Sequence, residues 1–93
     1  MNPVIAREDV LAVVARHMSQ IIEGLDPQTI DASKSLAEFG ANSLDIVEIV
    51  SCSMRELKVK VPRSELTKLR NLNELVDLLH RVSVEKANAQ PAA

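Results

Sequence analysis

A single serine, Ser43, stands where a turn passes into an amphipathic helix. Gly40 provides the turn, and both Asn42 and Ser43 are residue types that cap helix N-termini. Apolar residues then recur three or four positions apart, as on one face of a helix: Leu44, Val47, Val50, Met54 and Leu57. Free N–H groups and the helix dipole favour an anion at such a start. Ser43 could therefore carry a covalently attached phosphate, and the plainer alternative is a serine that only caps the helix.

Use of Ser43 as an enzymatic nucleophile is not supported by its neighbours. The hydrolase elbow requires Gly-x-Ser-x-Gly, whereas Ala41 and Asp45 occupy the two glycine positions here. The only histidines, His17 and His80, fall on other predicted helices, and we interpret His17 as structural. Together with the lone Cys52 they lack the spacing of metal ligands. We therefore predict a protein that is not an enzyme and has no metal site.

The segment Gly40-Ala41-Asn42-Ser43-Leu44-Asp45 resembles the attachment motif of acyl carrier proteins, which usually reads Gly-x-Asp-Ser-Leu. The resemblance covers roughly residues 7 to 83 and includes four further segments: Leu25-Asp26-Pro27 with Ile30-Asp31, Leu36 with Phe39-Gly40, Val61-Pro62, and Leu69-Arg70-Asn71-Leu72. One departure is Asn42, which stands where the family usually has Asp. Asn caps a helix about as well, but one acidic recognition element is missing.

The resemblance implies that Ser43 carries 4′-phosphopantetheine, whose thiol would hold an acyl group as a thioester. It implies a phosphopantetheinyl transferase as one partner, and an acyltransferase, ketosynthase or other acyl-processing enzyme as another. Leu44, Asp45 and Glu48 would form the docking surface, which we prefer to the alternative that the two acids are a solvated face that suits the helix dipole. The aliphatic residues between the second and third helices could part to shelter the acyl chain: Val47, Val50, Val61 and Leu66.

Size and composition limit the alternatives. Ninety-three residues, 46% of them apolar and only Phe39 aromatic, suit one small domain with an aliphatic core. A net charge of -2 without aromatic stacking residues argues against nucleic-acid binding. We find no apolar run that could span a membrane and no signal-peptide pattern, so we expect a cytoplasmic protein. We also expect a monomer. The single cysteine excludes an internal disulfide.

The periodicity predicts an all-α fold, an acyl-carrier-like bundle of three longer helices and one short helix. We predict helices over about Arg7–Glu23, Ser43–Leu57, Arg63–Lys68, and from Asn71 to about Val82. Leu25, Ile30, Leu36 and Phe39 should attach the long connection to the core, with a helical turn over Ser33 to Glu38. In the second helix, Val47, Val50 and Leu57 should be buried, with Cys52 or Met54 partly inside. The single carrier domain spans 1–93, ordered over about 7–83, with a flexible tail over 84–93.

Charge is unevenly distributed along the chain. Acids dominate between Glu23 and Glu48, whereas six basic residues lie between Arg55 and Arg70 against two acids. This layout could orient a partner. A basic third-helix region and Asn42 both depart from the acidic carriers of fatty-acid synthesis. These departures favour a polyketide or related specialised pathway, and the start at Met1 with loose tails at both ends leads us to expect a free-standing carrier. The alternatives are a housekeeping fatty-acid carrier, a peptidyl carrier, and an unmodified helical protein-interaction module.

Overall fold

The computed structural model describes residues 5–89, with side chains described for 5–86. Within this range the chain forms four α-helices: α1 (Arg7–Ile21), α2 (Ser43–Leu57), α3 (Arg63–Leu66) and α4 (Leu72–Ala89). No strand occurs between residues 5 and 89, so the predicted all-α bundle of three longer helices and one short helix is confirmed. None of these helices combines the length and the apolarity that a membrane span requires.

The core is aliphatic and is built from one face of each long helix. On α1, Val10, Val14 and Met18 are fully buried at the four-residue spacing of a helix face. They pack with buried residues of α2 and α4: Ile49, Val50, Leu72, Leu75, Val76, Leu78 and Leu79. The sole aromatic residue, Phe39, lies half-buried at the edge of this cluster. The core therefore fixes α1, α2 and α4 relative to one another, and it thereby positions the start of α2.

Two helices end earlier than the sequence predicted. The first ends at Ile21 instead of Glu23, because Ile22 turns into an extended conformation and Gly24 adopts a left-handed one with φ of +81°. The short helix α3 ends at Leu66 instead of Lys68, since the chain continues there as a turn. The predicted bounds of α2, by contrast, are those of the structure.

The last helix continues to Ala89, so the predicted end at about Val82 is wrong. Beyond that residue, Ser83, Val84 and Lys86 are half-buried. The Ser83 hydroxyl donates a hydrogen bond to the Leu79 carbonyl at 2.8 Å, and the Lys86 ammonium donates to the carbonyl of Lys58 after α2. The Lys86 contact joins α4 to the end of α2, and with the Ser83 bond inside the helix it stabilises α4 in the segment that composition marked as a flexible tail. Residues 90–93 of that tail lie outside the described residues.

The connection from α1 to α2 is attached to the core, as predicted. Leu36 is buried, and Leu25, Ile30 and Phe39 are half-buried against the core. This segment contains two 3-10 helices, Pro27–Thr29 and Ala37–Phe39. The second lies later than the helical turn predicted over Ser33 to Glu38. The sequence did not reveal that the loop also bonds to the start of α4. The carbonyls of Ala32 and Lys34 accept hydrogen bonds from the N–H groups of Asn73 and Leu72, at 2.8 and 2.9 Å.

Candidate functional site

Asn42 caps α2, and Ser43 is the first residue of the helix proper. The Asn42 side-chain oxygen accepts a hydrogen bond from the Asp45 N–H at 2.8 Å, and an Asp45 carboxylate oxygen accepts one from the Asn42 N–H at 3.2 Å. This reciprocal pair is a capping box, in which Asn and Asp replace the usual Ser or Thr and Glu. The alternative that Ser43 acts as the cap is therefore wrong, because Asn42 already occupies that position.

The Ser43 side chain is exposed, and its hydroxyl makes no hydrogen bond to any of the described residues. Of the first N–H groups of α2, that of Asp45 bonds the Asn42 side chain and that of Ile46 bonds the Asn42 carbonyl at 2.9 Å. The N–H groups of Ser43 and Leu44 point out of the first turn, where a helix lacks intrahelical acceptors. An anion on the Ser43 oxygen would find these donors and the positive end of the dipole beside it.

Two large apolar side chains lie exposed just after the serine. Leu44 is 80% exposed, in agreement with the sequence, and Val47 is 51% exposed. The prediction that Val47 is buried is therefore wrong. Val47 is exposed because α3 has only four residues and leaves this edge of α2 partly uncovered. The core contacts of this part of α2 come instead from Ile49 and Val50, which are 0% and 5% exposed.

The two acids of the expected docking surface differ in their surroundings. Glu48 is exposed on α2, so its carboxylate can reach a partner. Asp45 is only half-exposed, and one of its carboxylate oxygens already accepts the Asn42 N–H. Leu44, Asp45 and Glu48 therefore lie together on the first turns of α2, but Asp45 also has a structural task.

A cavity of about 510 Å³ opens between α2 and α3. Its apolar wall includes Val47, Val50, Val61 and Leu66, the four residues that the sequence suggested for this place. Six polar residues complete the lining: Ser35, Ser51, Arg63, Thr67, Arg70 and Asn71. The volume lies within the range of about 300–1,000 Å³ that is typical of small-molecule sites. Because Val47 is one helical turn beyond Ser43, the cavity begins close to the serine.

His17 takes part in a contact between α1 and α2, in keeping with its interpretation as a structural residue. Its Nε2 lies 2.9 Å from Oε1 of Glu56, which also accepts a hydrogen bond from Arg16. The Arg16 guanidinium, and then the His17 hydrogen bond, hold the pKa of the Glu56 carboxyl below its usual range. Among the described residues, His, Cys, Asp and Glu side chains form no group of three that could hold a metal ion.

Comparison with known proteins identifies the family. A family model described as "Phosphopantetheine attachment site" matches residues 13–79. The polyketide biosynthesis acyl-carrier-protein AcpK of Bacillus subtilis (strain 168) is 28% identical over 74 residues, which cover 80% of this chain and 90% of that protein. The acyl carrier protein of Campylobacter concisus (strain 13826) is 34% identical over 76 residues, covering 81% and 92%. That of Thermosynechococcus vestitus is 32% identical over 81 residues, covering 86% and 94%.

No solved structure gives a significant match to the chain. The family model nevertheless covers most of the sequence, and the relatives are covered almost along their whole length. The helical bundle and the motif at the start of α2 agree with this assignment. The chain therefore belongs to the acyl carrier proteins, a family of non-catalytic carriers that use covalently attached 4′-phosphopantetheine.

Proposed function

We propose that Ser43 is the attachment residue and that the protein delivers acyl groups to partner enzymes. The observation that supports this proposal is the exposed, unbonded Ser43 hydroxyl in the Asn42-Ser43-Leu44 motif at the start of α2. A phosphodiester on that oxygen fits the site, because the N–H groups of Ser43 and Leu44 lie in the same first turn without intrahelical acceptors and the Ser43 side chain is exposed. When bound, the group supplies the thiol that carries the acyl chain as a thioester. Cys52, the one encoded thiol, is half-buried.

The surface that receives the partner enzymes is proposed to consist of Leu44, Asp45 and Glu48. Leu44 projects an apolar side chain beside the serine, and Glu48 adds an exposed negative charge. Such a combination suits electrostatic steering of a basic partner, followed by desolvated contact at the apolar centre. Val47, which the sequence placed inside, adds a second exposed apolar residue to this surface. A phosphopantetheinyl transferase, an acyltransferase and a ketosynthase are the partners that we propose.

The cavity between α2 and α3 is the proposed shelter for the acyl chain. It begins one turn beyond Ser43, and most of its lining is aliphatic. Val47, Val50 and Leu66 can cover an apolar chain and keep its surface away from water, which is the favourable term for such burial. An acyl chain could enter this cavity without displacing buried core residues, because the cavity is already present in the structure.

Attachment is tested by incubating the protein with coenzyme A and a phosphopantetheinyl transferase, and then measuring its mass. We expect a gain of one phosphopantetheine in the wild type and in Ser51→Ala, and none in Ser43→Ala. Ser51 lies on the same helix, so its variant is the matched control. A mass gain in Ser43→Ala would show that the arm is attached elsewhere. A wild type that gains nothing would favour the unmodified interaction module.

For the pathway, we propose polyketide or related specialised biosynthesis in preference to housekeeping fatty-acid synthesis or peptide assembly. Asn42 in place of the usual acid and the six basic residues between Arg55 and Arg70 both depart from an acidic recognition surface. One relative carries a polyketide name, although at only 28% identity. A mismatched surface would keep the carrier away from general enzymes.

The pathway is tested by competition. The malonyl form of the protein is offered to a general fatty-acid ketosynthase system beside that system's own carrier. We expect clearly slower chain elongation on this protein. Equal elongation would replace the specialised role with the housekeeping one.

A further inference from the structure

The polar wall of the cavity contains two side chains that have no partner among residues 5–86, whose side chains the structure describes. Four of its six polar residues are engaged. The Ser35 hydroxyl accepts the Glu38 N–H at 3.2 Å, and the Thr67 hydroxyl donates to the Ser64 carbonyl at 2.9 Å. The Asn71 side-chain oxygen accepts the Glu74 N–H at 2.9 Å, and Arg70 lies 3.7 Å from a Glu74 carboxylate oxygen. Ser51 and Arg63 remain.

Neither Ser51 nor Arg63 has a side-chain hydrogen-bond or ion-pair partner among the described residues. Ser51 is half-buried on α2, and Arg63 is the exposed first residue of α3. The two therefore contribute donors to the cavity from both of the helices that form it. A guanidinium has five N–H donors and no acceptor, so its complement within the cavity is an oxygen acceptor.

We propose that this cavity favours acyl chains that carry an oxygen acceptor, a keto oxygen or a carboxylate, over saturated chains of equal length. Arg63 and Ser51 are the specificity-determining residues. A saturated chain that fills the cavity covers the half-buried Ser51 hydroxyl and removes water from it without replacing the lost hydrogen bond. An acceptor on the chain restores that bond, and to Arg63 it gives a charge-assisted one. This inference rests on the proposed carrier function and specifies its cargo.

The test compares cargoes of one length. A phosphopantetheinyl transferase that accepts acyl-coenzyme A thioesters loads the protein with hexanoyl, β-oxohexanoyl or adipoyl groups, and thermal unfolding of each form is followed. We expect the β-oxohexanoyl and adipoyl forms to unfold about 4–8 °C above the hexanoyl form, the shift that one net hydrogen bond gives a domain of this size. Amide NMR shifts at Ser51 and Arg63 should change with the oxygenated cargoes.

Variants assign the preference to the residues. Arg63→Met should abolish the advantage of the adipoyl form, and Ser51→Ala should reduce that of the β-oxohexanoyl form. Arg81→Met is the matched control, because Arg81 is exposed on α4 and does not line the cavity. Equal unfolding temperatures for all three cargoes, or an advantage that persists in both Arg63→Met and Ser51→Ala, would overturn the inference while the carrier role stands. A protein that the transferase cannot load at all would overturn the carrier role itself.

Discussion

Asn42 shows how one residue can separate the structural task of a helix start from its chemical task. Its side chain caps α2 through Asp45, which leaves the neighbouring Ser43 hydroxyl free of hydrogen bonds to the described residues. Here a phosphodiester can form on Ser43 without removing any contact that holds α2.

This division of tasks predicts different stabilities for two adjacent alanine variants. Asn42→Ala should lower the free energy of unfolding by about 0.5–2 kcal/mol, because it removes the cap. Ser43→Ala should change it by less than about 0.5 kcal/mol, as expected for an exposed residue without such a role. Urea denaturation of both unmodified variants measures the difference. Equal losses would contradict the assignment of the cap to Asn42.

The surroundings of Glu56 predict that the stability of the protein depends on pH. The pKa of Glu56 is lowered in the folded state by Arg16 and His17, the groups that face it from α1. A lowered folded-state pKa means that the stabilisation is present above the usual value of about 4.3 and is lost as pH falls through the folded-state pKa.

We therefore expect Glu56→Gln to be less stable than the wild type at neutral pH, with the difference disappearing in acid. Urea denaturation at pH values from neutral down to about 3 measures it. Asp31, whose pKa is also lowered by its hydrogen bonds to Ser33, affects wild type and variant alike, so the difference isolates Glu56. Glu85→Gln, on an exposed residue of α4, is the control and should match the wild type throughout. A difference that persists in acid would exclude the carboxylate as its source.

Among the elements, α2 carries both the proposed attachment residue and the proposed docking surface. Its buried face, with Ile49 and Val50, fixes it in the bundle, whereas Leu44, Val47 and Glu48 face solvent. The short α3 leaves the edge near Val47 open, and the cavity lies there. One helix therefore places the arm, the apolar contacts and the entrance to the cavity within two turns.

Reversing the charge of Glu48 tests this surface. Glu48→Lys should lower the rate of acyl transfer to a basic partner enzyme, and the loss should be larger at low than at high salt because exposed charges are screened. The rate of malonyl transfer between the protein and a malonyl transferase is measured at several salt concentrations. Glu85→Lys makes the same charge change on α4 and should transfer normally. Identical rates for all three proteins at every salt concentration would remove Glu48 from the docking surface.

The whole molecule depends on a single aliphatic core that lacks a disulfide, since the chain has only Cys52. Such a small domain buries a limited apolar area and has little stability to spare. Uneven charge adds a second global property, because the acidic segment that contains the start of α2 is followed by a basic one around α3. We expect this layout to orient a partner during encounter.

A matched pair of leucines measures how far stability depends on the core. Leu79→Ala should lower the free energy of unfolding by about 2–5 kcal/mol, because the side chain is fully buried and its removal leaves a cavity. Leu44→Ala deletes the same atoms from a residue that is 80% exposed, and should change it by less than about 0.5 kcal/mol. Thermal and urea denaturation compare the two variants. Similar losses would mean that Leu44 packs against the bundle in solution.

Periodicity and local chemistry were sufficient to determine much of this protein from its sequence. The spacing of Val10, Val14 and Met18 predicts the buried face of α1, and the turn at Gly40 followed by cap residues predicts the start of α2. Both depend on residues close together in the chain. The choice of Ser43 as attachment residue comes from the same local motif and remains a prediction until it is measured.

Contacts between distant residues decided the rest. Val47 has the spacing of a core residue, but it is 51% exposed because the short α3 covers it only in part. The end of α4 has the composition of a flexible tail, yet Lys86 reaches the Lys58 carbonyl across the bundle. The cavity, with Ser51 on one wall and Arg63 on the other, likewise exists only after α2 and α3 meet. Burial and pairing depend on what lies opposite a residue in space, which the pattern along one helix does not specify.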